Sequence, residues 1–153
     1  MTIELHFDEI NNSELAPADN KLRERAIEAA LHAYAPYSHF QVGASVLLAD
    51  GTIVIGNNQE NIAYPSGLCA ERVALFTAGA NFPYTPPIAI AIIAIKNGVI
   101  QEQISPCGAC RQVMIEIERR SATSLRILNC GNEQTLIVSK AADLMPLAFN
   151  FQP

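Results

Sequence analysis

Residues 88–95, Ile-Ala-Ile-Ala-Ile-Ile-Ala-Ile, form an unbroken apolar run rich in β-branched side chains. A strand that alternates toward one wet face carries polar residues at every second position, and this run has none. The chain must therefore build a sheet that is covered on both faces, with helices on either side. A helix is predicted from an N-cap at Asp19 to about Tyr34, with Leu22, Ala26, Ala29, Ala30 and Ala33 at helical spacing and Pro36 as its stop. Two apolar runs, 42–49 and 52–56, flank Asp50-Gly51 and read as a hairpin. A second helix is expected over 68–80 and a third from the pair of cysteines near 107 to about Arg120. Strands over 125–129 and 136–138 follow, then a short helix over 141–144 ended by Pro146. The order is that of a three-layer α/β domain over 19–153, preceded by a lead segment over 1–18.

Half of the 153 residues are hydrophobic, only 16% are charged, and the formal net charge is -5. So much apolar material supports a sizeable core, and so little charge leaves apolar surface for self-association to cover. An acidic chain lacks the basic face that nucleic acids or anionic membranes require. No apolar run is long enough to span a bilayer, and residues 1–9 have neither the basic nor the apolar part of a secretory signal. The expected compartment is the cytoplasm.

In that compartment the four cysteines, Cys69, Cys107, Cys110 and Cys130, are expected as metal ligands or core residues rather than disulfides. The C-x-x-C of Cys107 and Cys110 alone admits half a zinc site, a redox pair or chance. A thioredoxin-type unit is missing around it, and a four-cysteine zinc ribbon would need a second C-x-x-C. What remains is a three-thiolate site with an open fourth position. Cys69 and Cys107 each open a predicted helix, where free N–H groups and partial positive charge favour thiolates. Cys130, beside Gly131 at a strand end, reads as a small buried thiol. His6, His32 and His39 occupy no ligand position.

Cys69-Ala70-Glu71, followed by Pro106-Cys107-Gly108-Ala109-Cys110, is the cysteine form of the zinc deaminase pattern. With residues 35–44, 58–61, 64–72, 105–112 and 144–149, the chain resembles the small homotetrameric cytidine deaminases from about residue 34 to 149. The resemblance implies a three-layer α/β/α sandwich around a five-stranded mixed sheet. It implies one zinc ion on Cys69, Cys107 and Cys110, and deamination of cytidine and 2′-deoxycytidine in pyrimidine salvage. Hydroxide generated at the zinc would attack C4, with Glu71 shuttling protons to N3 and the departing amine. Arg72 would tune the thiolate charge. The Ala70 N–H would hold O2 and the Ser105 carbonyl the amine. Asn58 and Glu60 would grip the ribose 3′-hydroxyl, an amide and a carboxylate satisfying its donor and acceptor sides. Phe40 would pack on the base, and Phe149 would complete a neighbouring subunit's pocket in a homotetramer.

The chain departs from the family pattern at Gln59, where an aliphatic residue is usual, and at Gly56-Asn57-Asn58 in place of Gly-Cys-Asn. Three other functions compete. Deamination of another aminated ring, as in blasticidin S, is disfavoured because Asn58 and Glu60 are present. Polynucleotide editing is disfavoured by the charge. A non-catalytic zinc module has no need of Glu71 or of an open metal position.

Overall fold

The computed structural model describes residues 1–149. The apolar run becomes β4 (Pro87–Lys96), the centre of a mixed seven-stranded sheet. Its other strands are β1 (Phe7–Asn11), β2 (Phe40–Leu48), β3 (Ile53–Asn57), β5 (Val99–Ile100), β6 (Arg126–Cys130) and β7 (Gln134–Val138). The order across the sheet is β1-β7-β6-β4-β2-β3, with β5 also paired to β4. Among these described strands only β4 and β6 run parallel; every other strand pair is antiparallel.

Along β4 the side chains alternate between two cores, as a doubly covered strand requires. Ile90 and Ile92 join Ala74 and Leu75 of α2 (Ala70–Asn81) and Met114 and Ile117 of α3 (Gly108–Ser121). Ala89, Ala91, Ile93 and Ile95 face the opposite way, onto Leu22, Ala26 and Ala30 of α1 (Pro17–Leu31). The three-layer α/β/α reading therefore holds. None of the helices among the described residues is long and apolar enough to cross a membrane.

Seven strands replace the expected five, the additions being the five-residue β1 and the two-residue β5. In the lead segment, β1 pairs antiparallel with β7, from Phe7 opposite Val138 to Asn11 opposite Gln134. Its sequence, Phe-Asp-Glu-Ile-Asn, is mostly exposed and lacks the apolar alternation of a buried strand, so the free edge of β7 determines it rather than local propensity. The other addition, β5, folds back on β4 through Asn97 and Gly98, which both have positive φ (52° and 75°) as a tight hairpin turn demands. Pro17 sets the start of α1 two residues before Asp19, because proline's fixed φ suits the first helical position. Asp19 instead sits in the first turn and pairs with Arg126 at 2.5 Å.

Two glycines let the helices approach the sheet. A Cβ on Gly43 of β2 would lie 2.0 Å from the Ala26 carbonyl oxygen and 2.5 Å from the Ala30 nitrogen of α1. On the opposite face, a Cβ on Gly56 of β3 would lie 2.4 Å from the Ala74 nitrogen and 2.9 Å from the Ala70 carbonyl oxygen of α2. Each helix thus packs backbone to backbone on its strand, and Gly56 seats the N-terminal half of α2. Gly43→Ala and Gly56→Ala should each cost about 1–3 kcal/mol by overpacking. Thermal melts should show midpoints lower by about 2–10 °C. Gly108→Ala, where nothing lies within 4 Å of the added Cβ, should cause no loss.

Candidate metal centre and active site

The parallel pair β4 and β6 is joined through α3, and this βαβ unit opens a crevice at the carboxyl ends of its strands. The chain leaves β5, crosses that end through Ile104 and Ser105, and enters α3 with Cys107 as its N-cap. Cys69 is the N-cap of α2. Neither cap makes a side-chain hydrogen bond to its helix. Both sulfurs are therefore available at helix ends that carry partial positive charge.

The Sγ atoms of Cys69, Cys107 and Cys110 all lie within 4.8 Å of one another. Cys69 and Cys107 are 4.0 Å apart, and Cys107 and Cys110 are 3.5 Å apart. A tetrahedral zinc with Zn–S bonds of about 2.3 Å separates its sulfurs by about 3.8 Å, so the trio fits that ion. Arg72, in the first turn of α2, donates from Nη2 to the Cys69 sulfur at 3.4 Å, while its buried Nε finds no acceptor among the described residues. The Cys110 thiol and the Arg72 guanidinium together hold the Cys69 thiol down to about 5. Cys110, hydrogen-bonded to that thiolate and buried, is pushed the other way. Cys130 is fully buried away from the trio, and burial raises its thiol to about 11, so its sequence reading stands.

Glu71 is only 5% exposed yet lines the same cavity as Cys69 and Cys107. Burial, reinforced by the Cys69 thiolate, pushes its carboxyl above the usual carboxylate range. A carboxyl so placed takes up a proton more readily than one in water. The cavity holds about 570 Å³, and its walls include Asn58, Glu60, Ala70, Arg72 and Ser105. Asn58 is clamped across β2: its Oδ1 accepts from the Val42 N–H at 2.8 Å and its Nδ2 donates to the Phe40 carbonyl at 2.9 Å. One amide proton remains for a ligand. The Glu60 carboxylate receives the N–H groups of Tyr37 (2.9 Å) and Ser38 (3.3 Å) and the Ser38 hydroxyl. These donors lower its pKa.

Of the remaining residues singled out in the sequence, Phe40 and Phe149 do not line the cavity, whereas Gln59 does. Phe40 is half-buried, two residues along the same face of β2 from Val42; Val42 lines the cavity and Phe40 does not. Phe149 is 77% exposed, its carbonyl accepting from Gln112. The side chain of Gln59 donates to Asn57 Oδ1.

Several contributors have no role legible from the sequence, although Tyr37, Ser38 and Arg111 lie within the segments 35–44 and 105–112 that carry the resemblance. Tyr37 and Ser38 act largely through backbone N–H groups, which side-chain spacing does not reveal. Arg111 donates from Nε to the Pro106 carbonyl (2.8 Å) and from Nη1 to the Leu144 carbonyl (3.0 Å), tying the Cys107 loop to the C-terminal segment. Glu118, in the last turn of α3, accepts from the backbone N–H groups of Leu125, Ala141 and Ala142.

Comparison with known proteins agrees with this geometry. Residues 17–124 match the family model described as the cytidine and deoxycytidylate deaminase zinc-binding region. The chain is 42% identical to a cytidine deaminase of Halalkalibacterium halodurans, over 84% of this chain and 91% of that protein. The crystal structure of cytidine deaminase from Burkholderia pseudomallei superposes with a TM-score of 0.70 at 41% identity, covering 85% of this chain and 98% of that one. The corresponding values for cytidine deaminase from Mycobacterium tuberculosis are 0.69 and 35%, over 86% of this chain and 97% of that one.

Replacing Cys69, Cys107 or Cys110 singly with Ala should drop bound zinc from about one per chain toward zero, as measured by atomic absorption on freshly desalted protein. Cys130→Ala should keep its full complement.

Proposed function

The chain belongs to the cytidine and deoxycytidylate deaminase family, and from that premise we propose that it hydrolyses the exocyclic amine of free cytidine and 2′-deoxycytidine, releasing uridine or 2′-deoxyuridine and ammonia. One observation carries the reading: a buried carboxyl, Glu71, faces the same cavity as a three-thiolate zinc site. Purely structural zinc sites are closed by four protein ligands, whereas catalytic ones keep a position for water or substrate.

Cys69, Cys107 and Cys110 would hold zinc, whose Lewis acidity would make water nucleophilic near neutral pH. Arg72 limits the negative charge that three sulfurs would otherwise concentrate there. Glu71 accepts the proton of the attacking water and delivers it first to N3 of the ring, then to the leaving amine. Its raised pKa suits both halves of that transfer, since a carboxyl nearer neutrality gives and takes a proton with less bias. The Ala70 N–H is assigned to O2 of the pyrimidine, and the Ser105 carbonyl to the amine. Asn58 and Glu60 are assigned to the sugar 3′-hydroxyl, the amide donating and the carboxylate accepting. Phe40, the aromatic of β2, is assigned to the base from beyond Val42. A 5′-phosphorylated substrate would meet the anionic Glu60, which favours nucleosides over nucleotides.

The assembly proposed is a homotetramer in which Phe149 of one subunit completes the pocket of another. Supporting it are the exposed Ile62 (81%), Tyr64 (79%), Leu147 (89%) and Phe149 (77%), a large apolar surface for a chain with few charges. The compartment proposed is the cytoplasm, because three metal-binding thiols persist best under reducing conditions.

Loss of cytidine absorbance in the ultraviolet tests the reaction. Glu71→Gln should lower kcat by about 10²–10⁴-fold while zinc remains near one per chain. A zinc-loaded protein inert toward cytidine and 2′-deoxycytidine would transfer the chemistry to another aminated ring. Sedimentation should give about four times the 16.6 kDa chain mass, and a monomer that is fully active would contradict the shared pocket.

A further inference from the structure

The carboxylate of Glu60 stands in a cavity wall without a Lys or Arg ion pair among the described residues. Its negative charge is met by neutral donors of one short loop. Oε2 accepts the N–H groups of Tyr37 and Ser38, and Oε1 accepts the Ser38 hydroxyl. That hydroxyl is not a free rotor. Its oxygen accepts the Phe40 N–H at 3.0 Å, which leaves its proton for Glu60. The arrangement depends on His39, whose φ of 53° bends the chain so that the Phe40 N–H turns back toward Ser38. The same loop is closed by the His39 N–H on the Ala35 carbonyl (3.1 Å), and it is laced to the segment after β3 by the Glu60 N–H on the Tyr34 carbonyl (2.9 Å).

We propose that Ser38 is the positioning residue that sets sugar recognition: it fixes Glu60 as a pure acceptor aimed into the cavity, so that the pocket demands a hydroxyl donor on the 3′ edge of the sugar. The proposal rests on the assignment of Glu60 to that hydroxyl. With both carboxylate oxygens already held by N–H and O–H donors, Glu60 keeps lone pairs but has no freedom to swing away. Asn58, clamped by β2, offers the complementary amide proton. An ionised acceptor held by preformed bonds reaches its partner without a further ordering cost, which is where affinity for one hydroxyl comes from. Ser38→Ala removes the only side-chain donor in the set and the anchor of the Phe40 N–H together.

The experiment is steady-state kinetics of zinc-loaded protein on two substrates, cytidine and 2′,3′-dideoxycytidine, which lacks the hydroxyl in question. Ser38→Ala should raise the KM for cytidine about tenfold with kcat little changed, the size expected for a hydrogen bond to a charged group. The KM for the dideoxynucleoside should stay as in the unmodified protein. Ser38→Thr, which keeps the hydroxyl, should restore cytidine KM. Glu60→Gln separates this proposal from the assignment beneath it. If Glu60→Gln raises cytidine KM and Ser38→Ala does not, the positioning role is overturned and the sugar assignment stands. If Glu60→Gln leaves cytidine KM unchanged, both fall. A Ser38→Ala protein that loses kcat equally on both substrates shows a merely structural loop and also overturns the proposal.

Discussion

Three sulfurs that each favour the anionic state when they bind a metal occupy a space less than 5 Å across, and such a cluster repels itself unless positive charge meets it. This chain meets it from two directions that do not depend on solvent. Cys69 and Cys107 cap separate helices, so two sets of unpaired backbone N–H groups lie beside the sulfurs, and Arg72 adds a full charge at 3.4 Å from one of them. Much of the architecture serves this convergence. Helix α2 rests on β3 because Gly56 has no side chain, and α3 leaves the end of the one parallel strand pair. A shift of either helix by one residue would rotate its cysteine off the shared point.

Glu71 follows from the same geometry. It stands two residues after Cys69, in the first turn of α2, where the helix end would favour an ionised carboxylate. Burial and the neighbouring thiolate act in the opposite sense and prevail, leaving a raised pKa. That competition supports the proton-carrying role proposed for Glu71. Glu60, at the other end of the cavity, is the contrasting case, since backbone and hydroxyl donors keep it charged. One cavity thus holds two carboxyls whose surroundings push their pKa values in opposite directions, as the proposed roles of proton carrier and sugar acceptor require.

The doubly covered strand was legible because residues 88–95 leave no other reading, and the hairpin because Asp50-Gly51 falls between two apolar runs. The metal trio was legible because chemistry restricts where three cysteines with this spacing can be useful. What escaped the sequence did so for physical reasons. The strand β1 is polar and takes its form from the open edge of β7, so nothing within Phe7–Asn11 announces it. The strand β5 is two residues long and exists only as the return of a turn. Ser38, Tyr37, Arg111 and Glu118 act on or through backbone groups brought close by tertiary structure, and no spacing rule finds such partners. Phe40 and Phe149 matched aromatic positions by resemblance, yet neither lines the cavity of the single chain.

In the proposed site, three thiolates of one chain hold zinc and leave its fourth position open beside Glu71. X-ray absorption at the zinc edge of the purified protein reads that shell directly. Three sulfurs at about 2.3 Å and one oxygen at about 2.0 Å are expected. A shell of four sulfurs, or one completed by a histidine nitrogen, would contradict that site, because no position would remain for the water that the reaction consumes.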